Sequence, residues 1–312
     1  MDERNVRVKV FRYQGRNGSG GVGISENGGD RMGAHYDTFE FSAPPGMTVL
    51  SGLFHIQDHL DDSLAFRYSC RGAVCGSCAM LINKVPRLAC RTQLDSLIHD
   101  HGKEGIDSAN TNREIVTLKP YPAIKGGESW DPSTEVLIEP LPHFPILKDL
   151  IVDMERFFEF YRSIRPYFDP DNKRCEEGRG ISAGDETEGA EGGTETSHQE
   201  CKERLMDPED VKELEHYTNC ILCAACYGSC PVSGEAPGFI GPAALAKLYR
   251  FTIDPREEKQ NFRLELANRK DGWWGCEFHT NCKRVCPKGV PPNLGIGKAR
   301  QKLNRMGKQP GN

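Results

Sequence analysis

Eleven of the thirteen cysteines in this 312-residue chain fall into three closely spaced runs. The first run is Cys70-x4-Cys75-x2-Cys78, followed by Cys90 after eleven intervening residues. The second is Cys220-x2-Cys223-x2-Cys226-x3-Cys230-Pro231, and the third is Cys276-x5-Cys282-x3-Cys286-Pro287. Thiolates are soft ligands, and these spacings match the plant-type and bacterial ferredoxin patterns. The sequence therefore predicts several iron–sulfur centres in one polypeptide.

Composition argues against other uses of so many cysteines. The N-terminus runs straight into an alternating strand pattern without an apolar signal region, so metal ligation is favoured over a secreted disulfide framework. A net charge of −5 gives no reason to expect nucleic acid as a partner. No apolar run approaches the roughly 18–20 residues of a membrane-spanning helix.

Residues 1–141 are predicted to form a small β-rich domain that carries the first cysteine run on a loop. Residues 5–13 and Tyr36–Phe41 alternate as a hairpin around a glycine-rich stretch at 15–33. Helical spacing follows at Val49–Leu60, and strand patterns follow at Ala79–Ile82 and Glu114–Leu118.

Residues 142–312 are predicted to form a helical domain, which makes the fold class α+β. Apolar residues spaced by three and four from Ile146 to Ile164 predict one amphipathic helix. Residues 170–206 are acidic and lack periodicity, as in an exposed, mobile insert. Further helices are expected at Pro208–His216, Pro242–Ile253 and Pro292–Met306.

The first run suits a 2Fe–2S cluster held by Cys70, Cys75, Cys78 and Cys90. Gly72 and Gly76 let the backbone wrap closely and point N–H groups at sulfur, and four arginines (Arg67, Arg71, Arg87 and Arg91) offset negative charge. A zinc knuckle is the alternative.

The second and third runs are interpreted together, because in two-cluster ferredoxins the fourth cysteine of one run ligates the other cluster. That exchange assigns Cys220, Cys223, Cys226 and Cys286 to a 4Fe–4S cluster. It leaves Cys230, Cys276 and Cys282, three thiolates that suit a 3Fe–4S cluster. His279 stands where a fourth cysteine would be; packing beside the vacant corner is favoured over ligation of a fourth iron.

Two cysteines and one glycine motif remain outside this scheme. Cys175 and Cys201 flank the acidic insert, and we interpret them as free thiols, with a regulatory disulfide as the alternative. Residues 18–23 match G-x-G-x-x-G, but turn residues follow where a dinucleotide-binding helix is required.

The three runs, in this order, resemble the iron–sulfur subunit of succinate dehydrogenase and fumarate reductase. Stretches 69–78, 86–92, 144–150, 239–243 and 286–289 carry the likeness. The resemblance implies that a separate FAD flavoprotein oxidises succinate, a tricarboxylic acid cycle step, or reduces fumarate. Electrons then pass through the 2Fe–2S, 4Fe–4S and 3Fe–4S clusters to a quinone at membrane anchor subunits, which in some relatives hold haem b. It also implies a peripheral position on the cytoplasmic face of the membrane.

The resemblance implies a quinone pocket beside the 3Fe–4S cluster. Residues 231–237 lack a tryptophan found in some ubiquinone-reducing relatives, and Glu277 stands where a histidine is sometimes found. Trp273 and Trp274 could compensate near the cluster, although ordinary packing is favoured for them. Arg300 is the candidate basic residue near the quinone headgroup.

Three rival functions remain. A freely shuttling ferredoxin-like carrier leaves the long helix from Ile146 harder to explain. Subunits of other dehydrogenases and of thiol-linked fumarate reductases usually append further cysteine-rich repeats, and none follows Cys286. A structural zinc scaffold would be colourless and free of acid-labile sulfide.

Overall fold

The computed structural model describes residues 4–14, 33–98, 130–168 and 205–311. Its N-terminal part is built on a five-stranded mixed sheet with strand order β2-β1-β5-β3-β4. The strands are β1 (Arg4–Arg12), β2 (His35–Ala43), β3 (Ala79–Ile82), β4 (Val85–Leu88) and β5 (Glu135–Glu139). Strand β1 pairs antiparallel with β2 and parallel with β5, and β3 pairs antiparallel with both β4 and β5.

The predicted hairpin and first helix are confirmed. Alternation in β1 buries Val6 and Val8 on one face of the sheet. Helix α1 (Val49–His59) begins where the Thr48 side chain accepts a hydrogen bond from the Ser51 N–H. Its apolar face, which includes Leu53, packs into the same core. A short helix, α2 (Leu94–Ile98), follows β4.

The predicted helix from Ile146 is wrong over its first half. The chain forms a small antiparallel pair, β6 (Ile146–Lys148) and β7 (Ile151–Val152), before helix α3 (Glu155–Ser163) begins. Between the two strands, Asp149 adopts a left-handed conformation with φ 45°. Its buried carboxylate accepts hydrogen bonds from the backbone N–H groups of Tyr13 and Ala65, each at 2.9 Å. These long-range bonds hold a turn that helical periodicity cannot reveal.

The two short strands and the shorter helix bear on the alternative of a free ferredoxin-like carrier. Ile146 and Leu150 are buried in the core of the sheet, and Val152 and Phe157 are buried in a second cluster with Phe144. The segment therefore packs inside its own chain. The prediction that a long apolar helix here speaks against a free carrier is wrong.

The C-terminal part consists of helices packed around the long, almost fully buried α7. The helices are α4 (Pro208–Thr218), α5 (Ala225–Gly228), α6 (Pro231–Glu235), α7 (Gly241–Ile253), α8 (Gln260–Leu266), a 3₁₀ turn at Trp273–Gly275, α9 (Asn281–Arg284) and α10 (Pro292–Arg305). Helix α7 packs against α4, α8 and α10. Proline occupies the first turn of α4, α6, α7 and α10, where no N–H partner is needed. The three helices predicted here are confirmed.

Several predictions fall on residues outside the described ranges. They are the strand at Glu114–Leu118, the glycine motif at 18–23, Cys175, Cys201 and nearly all of the acidic insert. The domain boundary at residue 141 stays a prediction. Within the described part of the chain, no helix is both long and apolar enough to cross a membrane.

Candidate iron–sulfur centres

The first cysteine run forms a loop between α1 and β3 whose backbone N–H groups point at sulfur. Gly72, Val74 and Cys75 donate to the Cys70 Sγ at 3.2–3.3 Å. Cys70 and Ser77 donate to the Cys75 Sγ at 3.4 Å, and Ala73 donates to the Cys90 Sγ at 3.3 Å. Such a ring of donors stabilises negative charge on sulfur, which is what a thiolate-held cluster requires.

Two thiols of this loop, those of Cys75 and Cys78, differ in acidity. Burial tends to raise the pKa of Cys75, but hydrogen bonds from Ser77 and Cys70 lower it to about 6. Cys78 is buried, and burial raises its pKa to about 12. Cys75 is therefore ready to bind metal near neutral pH, whereas Cys78 needs the charge of the metal to lose its proton.

One edge of this loop faces outward. Cys70 is exposed, and the neighbouring Val74 and Tyr68 side chains are 64% and 45% exposed. The Arg71 guanidinium lies over the rings of Phe54 and Tyr68. A centre held here would lie close to the surface, where a second protein can reach it.

The structure brings the four cysteines assigned to the second centre around one enclosed cavity. Cys220, Cys223, Cys226 and Cys286 line it together with apolar residues that include Ala243, Ala246 and Val290. Burial raises the pKa of Cys223 to about 12 and the pKa of Cys226 well above its ordinary value. Four sulfurs in a mostly apolar pocket, which Lys288 also lines, fit a 4Fe–4S cluster.

The three remaining cysteines line another cavity, which we call the third cavity because it belongs to the third centre. Cys230, Cys276 and Cys282 line it with Phe239 and Ile296, among others. Burial raises the pKa of Cys276, and it raises the pKa of Cys282 to about 12. Cys230 lines this cavity although it belongs to the second run. Cys286 lines the cavity of the second centre although it belongs to the third run. The ligand assignment stays a prediction, and this exchange supports it.

His279 lies at the margin of the third cavity. Its side chain is 45% exposed, and its Nε2 lies 3.1 Å from a carboxylate oxygen of Glu277. Among the described residues, no group of three or more His, Cys, Asp or Glu side chains is arranged to hold a single metal ion. Packing of His279 beside the vacant cluster corner, favoured over ligation of a fourth iron, stays a prediction.

The residues predicted near a quinone do not line the third cavity but form hydrogen bonds close to Cys276. Trp273 is fully buried and donates its indole N–H to the Leu264 carbonyl at 2.8 Å. Trp274 donates to the Asn268 side chain at 2.8 Å. Arg300 donates to the carbonyls of Trp273 and Cys276 at 2.7 and 2.6 Å, and its guanidinium lies over the Trp274 ring. Their predicted part in quinone binding stays a prediction.

Sequence reasoning missed the junction between the first and second centres. Gly76, between two ligands of the first run, has φ +75° and lies against the second run. A Cβ added to it would lie 2.8 Å from the Cβ of Cys223 and 2.9 Å from its Cα. A glycine between two ligand cysteines was the available signal. Its partner, on a segment far along the chain, could not be inferred from the sequence.

It also missed an open groove beside the third cavity. The groove has a volume of about 530 Å³ and follows one face of α10. Gly297 leaves its floor without a side chain, and the Phe278 ring lies next to it. Asn293 lines both the groove and the cavity of the third centre. The groove thus ends directly beside a candidate redox centre.

Two protein families match separate parts of the chain. The 2Fe-2S iron-sulfur cluster binding domain family matches residues 7–159. The 4Fe-4S dicluster domain family matches residues 216–290. The first range contains all four cysteines of the first centre, and the second contains the other seven assigned cysteines.

Full-length relatives and a solved structure agree with these matches. The fumarate reductase iron-sulfur subunit of Haemophilus influenzae is 31% identical over 267 residues, which cover 85% of each chain. That of Mycobacterium tuberculosis is 30% identical over 258 residues, covering 82% of this chain and 81% of the relative. A chain of the Mycobacterium smegmatis Sdh1 complex in the apo form shares the fold, with a TM-score of 0.67 and 20% identity over 98% of this chain and 99% of that chain.

Proposed function

The chain belongs to the family of iron–sulfur subunits of fumarate reductase and succinate dehydrogenase, with a 2Fe–2S domain and a 4Fe–4S dicluster domain, and from this premise we propose that it carries electrons between a FAD flavoprotein and a membrane quinone. The route runs through a 2Fe–2S, a 4Fe–4S and a 3Fe–4S cluster in that order. The residues that hold them are the three groups of cysteines described above. When bound, the clusters supply one-electron redox steps that link the two-electron chemistry of flavin and quinone.

The observation that carries this proposal is the continuity of the three sites. The loop of the first site touches the second at Gly76 and Cys223. The second and third sites share both of their cysteine runs, since Cys226 and Cys230 follow one another on one segment, as do Cys282 and Cys286 on another. The protein's part is to hold these sulfurs at fixed positions, to surround them with apolar side chains and to keep water away.

The first and third sites, which form the two ends of the row of centres, differ in a way that suits two different partners. The outward edge at Cys70 and Val74 suits approach of the flavoprotein. The groove beside the third site suits a quinone headgroup, with Phe278 on one side and Arg300 among its lining residues. Membrane anchor subunits would complete this end, whether or not they hold haem b. The chain would then lie peripherally on the cytoplasmic face.

The experiment is to replace Cys230, the ligand that links the second run to the third site, in the assembled complex. We expect Cys230→Ser to impair the 3Fe–4S cluster and to slow quinone reduction at least tenfold. Reduction of the flavin by succinate should remain, because it precedes the altered centre. Stopped-flow spectroscopy follows the flavin, and electron paramagnetic resonance reports the oxidised 3Fe–4S cluster.

Cys175→Ser is the matched control, because Cys175 belongs to none of the three runs. It should leave both the spectrum and quinone reduction unchanged. Normal quinone reduction in Cys230→Ser would contradict the proposed order of the centres.

A further inference from the structure

Helix α7 carries one charged side chain among its buried inner residues. Residues 241–246 and 248–249 are all buried, whereas Lys247 is half-buried between them. The Lys247 Nζ lies 3.4 Å from the carbonyl oxygen of Thr218. Thr218 ends helix α4, two residues before Cys220. The ammonium group is therefore held beside the segment that supplies the first ligand of the second centre.

No carboxylate among the described residues forms an ion pair with Lys247. Burial lowers the pKa of Lys247, the negative charge of Cys220 raises it, and the like charge of Arg250 lowers it further. The nearby Arg250 is paired with the fully buried Asp254 at 3.2 Å. Lys247 thus has no carboxylate partner among the described residues, and its bond to the Thr218 carbonyl places its charge beside a residue two positions before Cys220.

We propose that Lys247 is a positioning charge that raises the reduction potential of the centre held by Cys220, Cys223, Cys226 and Cys286. The inference rests on the proposed function, because it requires the cluster to be bound there. Reduction adds one electron to the site and breaks no bond, so the reduced state is more negative by one charge. A nearby half-buried ammonium stabilises that state more than the oxidised one.

Lys247 is better suited to this test than Arg300, the cation near the third centre. Arg300 also lies near a ligand, but it holds the carbonyls of Trp273 and Cys276 and stacks on two aromatic rings. Its removal would disturb the backbone of the third site. Lys247 makes a single long hydrogen bond, so its charge can be removed with little change in packing.

The experiment compares Lys247→Met, which removes the charge at similar length, with Lys247→Arg, which keeps it. Both are made in the assembled complex, and the potential of each centre is measured by redox titration with electron paramagnetic resonance. We expect Met to shift the potential of the 4Fe–4S cluster downward and Arg to restore most of the native value. The 2Fe–2S potential should stay unchanged in the same samples, because the effect falls off with distance.

Lys302→Met, at the exposed end of α10, is the control for loss of one lysine and should shift none of the three potentials. A native 4Fe–4S potential in Lys247→Met would overturn the proposal. If that variant failed to assemble, Lys247→Gln is the second neutral replacement and is judged by the same criterion. A wild-type complex without a 4Fe–4S signal would instead contradict the cluster assignment, and with it both proposals.

Discussion

Gly76 is the residue at which the first centre meets the second. Gly76→Ala places a methyl group where 2.8 Å separates it from Cys223, on a backbone with φ +75°. The left-handed conformation alone costs a non-glycine residue about 1–2 kcal/mol, and relief of the clash has to move one loop away from the other. We expect a lower unfolding midpoint and slower electron transfer from the 2Fe–2S to the 4Fe–4S cluster, measured by thermal unfolding and rapid-freeze electron paramagnetic resonance.

Gly72 offers a matched control within the same loop. A Cβ there meets only the Cys70 carbonyl oxygen, at the ordinary contact distance of 3.7 Å. Gly72→Ala should therefore leave the transfer rate unchanged and the midpoint nearly so. Equal effects of the two substitutions would show that the loop tolerates no side chain, and the junction would lose its special role.

At the scale of elements, the β6–β7 turn depends on one carboxylate. Asp149 is 2% exposed and accepts hydrogen bonds from the Tyr13 and Ala65 N–H groups and from Arg12 Nε. Asp149→Ala leaves the N–H groups of Tyr13 and Ala65 unpaired. It also removes one of the carboxylates that face the buried Arg12 guanidinium. We expect a loss of about 3 kcal/mol in the free energy of unfolding, measured by urea denaturation of the complete chain.

Asp153→Ala is the comparison for this prediction. Asp153 accepts a hydrogen bond from the Glu155 N–H at the start of α3, at 2.8 Å, and is not buried. Loss of one such side-chain-to-backbone hydrogen bond costs about 1 kcal/mol. A smaller effect for Asp149→Ala than for Asp153→Ala would mean that long-range bonds do not define the turn.

The same turn shows what sequence patterns can and cannot predict. Period-two alternation predicted the bounds of β1 to within one residue, because half-buried strands of a sheet show it locally. The apolar residues from Ile146 to Val152 fit a helix equally well by spacing, and only bonds to Tyr13 and Ala65 decide the outcome. Strand β5 and helix α8 also lacked a sufficient local signal.

For the candidate site as well, features with a local sequence signal could be predicted and long-range contacts could not. Cluster ligands come in short runs, so the grouping of all eleven cysteines could be predicted from spacing and the exchange rule. The contact of Gly76 with Cys223 and the hydrogen bond from Lys247 to the Thr218 carbonyl join segments far apart in sequence. Such contacts depend on how the elements pack, which spacing does not encode.

On the scale of the whole molecule, the two parts rely on iron to different degrees. The sheet and α1 enclose a large apolar core that includes Phe11, Leu53 and Ile138. In the helical part, partly buried ligand cysteines such as Cys220 and Cys276 belong to the packing around α7 and α10. Helices α5 and α9 are four residues each, far shorter than helices that are stable alone.

Removal of iron should therefore unfold the helical part first. Without metal, burial keeps thiols such as Cys226 and Cys282 protonated, and the short helices that carry them are joined by little more than the bond from the Asn281 side chain to the Ser229 carbonyl, at 3.0 Å. We expect hydrogen exchange, followed by mass spectrometry on the chelated protein, to accelerate strongly at residues 220–230 and 276–286. Exchange in α1 should change less, because apart from Cys78 the buried residues of its core are not cluster ligands. Equal acceleration in α1 and α5 would contradict this expectation and indicate one cooperative unit.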